Sequence, residues 1–221
     1  MTDEMMLRPP ERKLPPYEPK VITLASGEKM LVRQMFREEI PLLLKIVKPL
    51  LNVERDFYDI VSARLYAELL GYYRYRVRDE FVLAGLVDGE VAGIVNSRLV
   101  NEHTGMSYHT MAIKRGLRVG AHLFAAKMEY HFQLGNKEVL IVAESPIGFR
   151  RWMQELRLEP KFEVQHELGG TDSWVLTEKN FYTNMKPNRV FGTRPVPPEI
   201  WERNRNIIVP PEDEIIRRVG G

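Results

Sequence analysis

The chain has 221 residues, of which 44% are hydrophobic and 28% are charged. That length and apolar content suit one globular domain of ordinary size and exclude a chain that is disordered throughout. No apolar run reaches the roughly 18 residues that a membrane helix requires, so we expect no membrane-spanning segment. The formal net charge is only +2, from 32 basic and 30 acidic residues, whereas nucleic-acid-binding proteins usually carry a clear basic excess.

The absence of cysteine limits the chemistry that the protein can perform, and the N-terminus bears on its cellular compartment. The sequence contains no cysteine, which excludes disulfides, a thiol nucleophile and cysteine-ligated zinc. His122, His131 and His166 show no spacing that suggests a metal site, and we expect no metal. The first residues contain no apolar stretch of the kind found in a secretory signal, and we therefore expect a cytoplasmic protein.

Prolines concentrate at the two ends of the sequence. Because proline interrupts helices and strand ladders, we predict extended arms at residues 1–19 and 184–221, and a folded domain at residues 20–183. Large apolar side chains in the C-terminal arm, such as Phe191 and Trp201, are unfavourable in water. We therefore expect this arm to pack on the chain's own core or on a partner subunit, and we predict a homodimer formed through the arms.

The first elements in chain order are a hairpin and two helices. Strands are predicted at Lys20–Leu24 and Met30–Arg33, joined through Ser26-Gly27. Apolar residues at helical spacing then predict a helix from about residue 41 to 47 and a second helix from about residue 55 to 73.

From residue 81 the apolar pattern becomes that of strands. Phe81–Val87 and Val91–Leu99 flank Asp88-Gly89, a strong hairpin signal. The elements predicted after this hairpin are a strand at Met106–Ile113, a helix at Gly116–Leu134, a strand at Val139–Ala143, a helix at Pro146–Leu156, and strands at Phe162–Glu167 and Ser173–Leu176. This order predicts a mixed α/β (α+β) domain with a central sheet flanked by helices.

The most informative stretch is Arg115–Phe124, between a predicted strand and a predicted helix. It reads Arg-Gly-Leu-Arg-Val-Gly-Ala-His-Leu-Phe. Glycines at a helix N-terminus let backbone N–H groups approach a phosphate, and the helix dipole and two arginines add positive charge there. The stretch therefore predicts a phosphate site, with an ordinary strand-to-helix turn as the alternative.

Together with the order of elements, this stretch resembles the Q/R-x-x-G-x-G/A signature of the GNAT acyltransferase superfamily. Arg115 takes the first position of the motif, and Gly120 takes the last, followed by Ala121. The order of elements is similar to that of the family over about residues 20–180. The resemblance implies a GNAT fold and an enzyme that transfers the acyl group of acetyl-CoA directly to a primary amine, without a covalent enzyme intermediate.

The resemblance also implies where coenzyme A binds. Acetyl-CoA would lie in a V-shaped opening between strands 106–113 and 139–143, with its pyrophosphate on the backbone N–H groups of residues 115–121. Backbone groups near Met111–Ile113 would hold the pantetheine. The implied binding residues are Met111, Ala112, Ile113, Arg115, Gly116, Leu117, Arg118, Val119, Gly120, Ala121 and Ser145.

Two positions depart from the family pattern. Arg118 stands where the motif has its middle glycine, so it is strained if the position needs backbone freedom, or it pairs with a phosphate. Trp152 or Met153 falls where the family has a tyrosine that commonly protonates the leaving thiolate, and neither side chain can do so. The alternative function is therefore a GNAT-fold sensor or regulatory subunit that binds acyl-CoA with weak or absent turnover.

Three residues are candidates for catalysis: His109, Tyr108 and Glu144. His109 lies in the strand that carries the base in several family members, and histidine titrates near neutral pH; a structural histidine is the alternative. Tyr108 is expected on the opposite face of the strand, because side chains alternate, and could protonate the leaving group. Glu144 ends the apolar strand near the acyl group and could act through a water, or cap a helix instead.

The segment Tyr72–Arg78 interleaves aromatic and basic residues in the order Tyr-Tyr-Arg-Tyr-Arg-Val-Arg. Such a cluster could stack nucleic-acid bases, or it could be a helix end with cations near its C-terminus. The nearly balanced charge argues against a nucleic-acid partner. No feature of the sequence selects one amine acceptor over another.

Overall fold

The computed structural model describes residues 13–77, 79–142, 148–165 and 172–220. Among these residues, eight strands form one mixed sheet. The strands are β1 (Lys20–Thr23), β2 (Lys29–Gln34), β3 (Glu80–Val87), β4 (Glu90–Leu99), β5 (Thr104–Ala112), β6 (Glu138–Val142), β7 (Glu159–Gln165) and β8 (Asp172–Thr177). Their order across the sheet is β1-β2-β3-β4-β5-β6-β8-β7, and the β5–β6 pair is parallel while the other neighbours are antiparallel.

Helices cover both faces of this sheet. The longer ones are α1 (Ile40–Val47), α2 (Tyr58–Tyr73) and α3 (Val119–Gln133), and two short ones follow near the C-terminus, α4 (Pro198–Arg203) and α5 (Glu212–Gly220). Single 3₁₀ turns lie at Arg37–Glu39, Lys48–Asn52 and Arg55–Phe57. A π-helix lies at Phe149–Gln154, and a second one, Phe181–Met185, joins the short helices Glu178–Asn180 and Lys186–Arg189.

Each face of the sheet has its own hydrophobic core. Leu31 and Val82 pack with α1 and α2, whereas their neighbours in sequence, Val32 and Leu83, pack with α3. Side chains alternate between the two faces of a strand. Strands buried on both faces need apolar residues at successive positions, which explains the continuous apolar runs of β3 and β4.

The predicted mixed α/β order is confirmed, with the ends of elements displaced by a few residues. The helix predicted from Gly116 begins at Val119, and the strand predicted from Met106 begins at Thr104. The helix predicted from residue 146 is described as a π-helix at Phe149–Gln154. Asp88 and Gly89 form the predicted turn, with φ values of 50° and 85°, as a tight hairpin requires.

β5 and β6 pair over only part of their length. Their parallel pairing runs from Thr104 opposite Glu138 to Ser107 opposite Ile141. β6 ends at Val142, while β5 continues to Ala112. The second half of β5 therefore has no strand along this edge among the described residues, and the two strands part there.

The C-terminal segment packs on the chain's own core. Ile215 and Val219 of α5 are buried with α1 and α2, and Phe181 and Met185 are buried against α3. The described part of the segment predicted as an extended arm, residues 184–221, also contains short helices, because its apolar side chains face the core at helical spacing.

A buried carboxylate joins α3 to the segments before β1 and after residue 190. Glu129 accepts hydrogen bonds from the Tyr17 hydroxyl at 2.9 Å, from Lys20 Nζ at 2.8 Å and from Arg194 at 3.1 Å. Burial by itself raises the pKa of Glu129, but the hydrogen bond from Arg194 and the charge of Lys20 outweigh it and leave the pKa below its usual value. Both segments are therefore held against α3 by one ionised group.

Replacing Glu129 should destabilise the fold. In Glu129→Gln the Lys20 ammonium, which is 1% exposed, and Arg194 lose their counter-charge, and breaking a buried pair costs about 3 kcal/mol or more. Urea denaturation measures the change. The control is Glu178→Gln, which breaks an exposed pair with Lys137 and should cost less than about 1 kcal/mol. Equal effects of the two changes would contradict this account of the network.

Candidate functional site

A cleft of about 360 Å³ lies where β5 continues past β6. Its walls are the end of β5, the loop into α3, the first turn of α3 and the residues that begin α2. It is lined by Asp56, Tyr58, Val61, Thr110, Met111, Ala112, Lys114, Arg115, Gly116, Arg118, Val119, Gly120, Ala121 and Gly148. Most residues of the predicted coenzyme A site therefore meet in one cavity.

The N-terminus of α3 supplies backbone donors to this cleft. The hydrogen bond from His122 N to Arg118 O, at 3.0 Å, opens the helical ladder, so the N–H groups of Val119, Gly120 and Ala121 precede it. No side chain caps this end of the helix within the described part of the chain. Uncapped N–H groups and the helix dipole together favour an anion here.

Arg118 adopts a left-handed backbone conformation at the start of α3, with φ 59° and ψ 21°. This conformation costs an L-residue other than glycine about 1–2 kcal/mol, so arginine at the motif's glycine position is strained. Its exposed side chain makes no hydrogen bond or ion pair with another described residue. The guanidinium therefore lies beside the uncapped helix end without a counter-charge from the described residues.

The two basic residues before Arg118 have acidic partners. Arg115 forms an ion pair with Asp56 and donates a hydrogen bond to the carbonyl of Val219 at 3.1 Å. Lys114 forms an ion pair with Glu28. These contacts tie the loop to α5 and to the β1–β2 hairpin. An anion that binds to Arg115 or Lys114 has to displace a carboxylate. Arg118 can bind an anion without displacing the carboxylate of any described residue.

Of the predicted pantetheine contacts, Ala112 presents its backbone to the cleft. Ile113 donates its N–H to the carbonyl of Ala92 at 2.8 Å, inside the sheet. Because successive residues of a strand point their backbone groups to opposite edges, those of Ala112 face away from β4. The Ala112 carbonyl accepts a hydrogen bond from the Tyr58 hydroxyl, and Met111 contributes to the cleft wall.

Two predicted site residues turn their side chains away from the cleft. Ile113 packs in the core formed with α1 and α2, and Leu117 packs against the core formed with α3. Both are apolar residues in a loop between two cores, and burial in a core removes more apolar area from water than a partly polar cleft does.

A β-bulge decides where the candidate catalytic residues point. The register of β4 against β5 shifts by one residue between Val95 and Ser97, so Tyr108 and His109 together oppose Asn96. A bulge interrupts the alternation of side chains. The rings of Tyr108 and His109 lie nearly parallel, with centroids 6.1 Å apart, and both side chains are on the same side of the sheet. The prediction that Tyr108 points to the opposite face is therefore wrong.

His109 is paired with a carboxylate from α2. Its Nε2 lies 3.1 Å from Glu68 Oε1, and its backbone N–H donates to Asn96 Oδ1 at 3.0 Å. The side chain is fully buried and adjoins the cleft through the next residue, Thr110. A histidine held by a carboxylate is an arrangement that supports general-base chemistry.

A second carboxyl group lies behind Glu68. Asn96 Nδ2 donates hydrogen bonds to Glu68 and, at 3.0 Å, to Glu80 Oε1. Burial, and after it the negative charge of Glu68, raises the pKa of Glu80 to about 8. Glu80 is therefore mostly protonated at neutral pH, and its neutral form avoids a second negative charge beside Glu68.

Other predicted residues lie elsewhere or outside the described residues. Glu144 and Ser145 belong to the part of the chain that the structure does not describe. Met153, one of the two residues predicted at the family's tyrosine position, is buried in the core with α3. In the described residues no group of histidine and carboxylate side chains is arranged to hold a metal ion. None of the described helices is long and apolar enough to cross a membrane.

The aromatic and basic cluster predicted at Tyr72–Arg78 is partly used within the fold. The guanidinium of Arg37 lies 3.9 Å from the ring centroid of Tyr72 and 4.1 Å from that of Tyr75. Arg78 is outside the described residues. Two of the three tyrosines therefore already contact a cation.

Sequence reasoning missed the contributions of α2 and of the 3₁₀ turn that precedes it. Asp56 and Tyr58 line the cleft, and Glu68 holds His109, although all three lie at least 40 residues before the motif in sequence. No local pattern links them to it. Of the three, only Glu68 could have been noticed in the sequence, because it is a polar residue between Leu65 and Leu69 on a predicted buried face.

Comparison with solved structures supports the fold, whereas comparison of the sequence with known families and curated proteins finds no match. The GNAT domain of PAT from S. lividans superposes with a TM-score of 0.54 at 12% identity, covering 75% of this chain and 99% of that one. An uncharacterized protein from Bacillus halodurans superposes with a TM-score of 0.52 at 14% identity, covering 76% and 94%. The chain has the GNAT fold.

Replacing Glu80 should change how stability depends on pH. Folding raises the pKa of this carboxyl group from 4.5 to about 8, so the folded state holds a proton that the unfolded state releases. The corresponding stability is present below about pH 4.5 and is lost as the pH rises through about 8. Glu80→Gln should flatten this dependence. The difference in free energy of unfolding, variant minus wild type, should be larger at pH 8.5 than at pH 4.5 by on the order of a few kcal/mol.

Urea denaturation across this pH range tests the role of Glu80. The control is Glu38→Gln, which removes an exposed carboxyl group and should leave the pH dependence unchanged. A Glu80→Gln profile parallel to that of the wild type would show that folding does not keep this group protonated.

Proposed function

We propose that this chain is an acyl-CoA-dependent N-acyltransferase that transfers an acyl group, such as acetyl, from the thioester to a primary amine. The observation that carries the proposal is the cleft beside β5. There the N–H groups at the start of α3 meet the Arg118 guanidinium, and among the described residues neither has a side-chain partner. The GNAT fold and the resemblance of residues 115–121 to the family signature agree with this placement.

The cleft residues suit the parts of the acyl donor. The N–H groups of Val119, Gly120 and Ala121 and the Arg118 side chain hold the pyrophosphate. The backbone of Ala112 faces the pantetheine arm, and the Tyr58 hydroxyl on its carbonyl keeps that edge of β5 in place. The thioester supplies an activated acyl carbon and a thiolate leaving group.

His109 is the base in this proposal, and Glu68 is its positioning residue. As the acceptor nitrogen bonds to the acyl carbon and the carbon–sulfur bond breaks, the amine proton passes to His109, through a water because the side chain is buried. The Glu68 carboxylate stabilises the imidazolium. Tyr108, which the bulge places beside His109, can return a proton to the leaving thiolate; its hydroxyl is 3.3 Å from Arg98.

The alternative is a GNAT-fold protein that binds acyl-CoA as a sensor or regulatory subunit, with little or no turnover. Two points favour it: the His109 side chain is fully buried, and the resemblance places Trp152 or Met153, neither of which can donate a proton, where the family has its acid. Under either function we expect a cytoplasmic homodimer.

Substitution at Gly120 tests the donor site. A Cβ at this position would meet Ala112 Cβ at 3.6 Å and Thr110 Cγ2 at 3.7 Å, which are ordinary contacts, so Gly120→Ala should bind coenzyme A nearly as the wild type does. Gly120→Glu places a carboxylate against the pyrophosphate and should weaken binding at least about tenfold. Calorimetric titration with coenzyme A measures both. Unchanged affinity of the glutamate variant would refute this placement of the pyrophosphate.

Substitution at His109 tests turnover separately from binding. Release of the thiol from acetyl-CoA is followed with a panel of amines, beside calorimetric binding of coenzyme A. His109→Ala should lower kcat by about 10²–10⁴-fold and leave the affinity for coenzyme A within about threefold. His103→Ala, which changes an exposed histidine, should retain full activity. Binding without thiol release in the wild type, with any amine, would favour the regulatory function.

A further inference from the structure

A second cavity, of about 190 Å³, adjoins the cleft at the start of α3. Arg118 and Ala121 belong to the walls of both. Its other walls include His122 of α3 and, from the C-terminal segment, Arg189 and Phe191. We refer to this cavity as the outer pocket. The two cavities therefore meet at Arg118 and Ala121.

Two flat rings form one side of the outer pocket. The rings of His122 and Phe191 meet edge to face, with centroids 5.8 Å apart and an interplanar angle of 79°. Burial, and after it the charges of Lys20 and Arg118, lower the pKa of His122, so its imidazole is neutral at neutral pH. Phe191 is 51% exposed. Exposed aromatic faces of this kind are the surfaces on which nucleobases stack.

Two guanidinium groups flank these rings. Arg118 makes no ion pair with a described residue, as noted above. Arg189 lies 3.1 Å from Glu155, with the two side chains 46% and 49% exposed. Such an exposed pair contributes about 0–1 kcal/mol, so Arg189 can exchange this carboxylate for a phosphate at little cost. The outer pocket thus offers stacking surfaces together with two cations.

The position of Phe191 is fixed by the backbone that follows it. Thr193 exchanges two hydrogen bonds with Val21 at the outer edge of β1, at 3.0 and 2.9 Å. Gly192, with φ 118°, passes so close to β1 that a Cβ would lie 2.9 Å from Lys20 Cδ. Phe191 is therefore held next to His122 without a ligand, which lowers the entropy lost on binding.

We propose that the outer pocket binds the nucleotide end of coenzyme A, with the purine base against Phe191 and His122 and the 3′-phosphate paired with Arg189. This proposal rests on the proposed function, because it takes the pyrophosphate to lie at the start of α3. The C-terminal segment then acts as a specificity element. It selects thioesters that carry the whole nucleotide over those that end at phosphopantetheine.

The test compares three ligands by calorimetric titration: coenzyme A, dephospho-coenzyme A, which lacks the 3′-phosphate, and 4′-phosphopantetheine, which lacks the nucleotide. The full-length wild type should bind coenzyme A at least about tenfold more tightly than 4′-phosphopantetheine. Phe191→Ala should weaken coenzyme A binding by about 5–50-fold and leave phosphopantetheine binding unchanged. Arg189→Ala should weaken coenzyme A binding and leave dephospho-coenzyme A binding unchanged.

Matched controls separate these effects from a general loss of binding. Phe36→Ala removes an aromatic ring that is 65% exposed and outside both cavities. Arg205→Ala removes an exposed guanidinium from a pair with Glu202. Neither should change the affinity for any of the three ligands. Because Phe191 and Arg189 are exposed, their truncation should leave the thermal stability nearly unchanged.

Several results would overturn the proposal. Equal affinity of the wild type for coenzyme A and 4′-phosphopantetheine would show that contacts with the nucleotide contribute no binding free energy. Phe191→Ala behaving as Phe36→Ala would exclude stacking at the outer pocket. Failure of the wild type to bind any of the three ligands would refute the proposed function together with this inference. Tight binding of coenzyme A with no effect of either variant would refute the inference alone.

Discussion

The parting of β5 from β6 is the feature on which the site depends. A strand in the middle of a sheet normally pairs along both edges, because unpaired buried backbone groups are unfavourable. Here the pairing stops at Ser107 opposite Ile141, and the remaining residues of β5 have one edge toward a cleft. On that edge the Ala112 carbonyl accepts a hydrogen bond from the Tyr58 hydroxyl, and α3 begins beside it with N–H groups that no described side chain caps. One break in the sheet therefore brings two sets of backbone groups to the same cavity.

The bulge in β5 works together with this break. By adding a residue opposite Asn96, it places Tyr108 and His109 on one side of the sheet, just before Thr110 enters the cleft. Asn96 in turn joins Glu68 and Glu80. Because Glu80 is kept protonated by burial and by Glu68, the charge beside His109 is that of a single carboxylate. A small change of register thus places Tyr108 and His109 side by side, with His109 next to the Glu68 carboxylate.

The segments outside the central fold are fastened to it by a few buried contacts. Glu129 holds Tyr17, Lys20 and Arg194 against α3, and the Val21–Thr193 bridge extends the sheet edge by one pair. The consequence for the site is that Phe191 and Arg189 are placed at its outer end. On the other side, α5 reaches the same loop through the hydrogen bond of Arg115 to Val219.

The sequence by itself determined the order of elements and the position of the glycine-containing loop 115–121 before α3. Period-two and helical spacing are local properties, and Asp88-Gly89 and the residues 115–121 carry their own backbone requirements. Only the tertiary structure decided that Tyr108 shares a side with His109, that Glu68 is the partner of His109, and that Ile113 and Leu117 turn into the cores. Those outcomes follow from strand register and from contacts between residues distant in sequence, which local spacing does not encode.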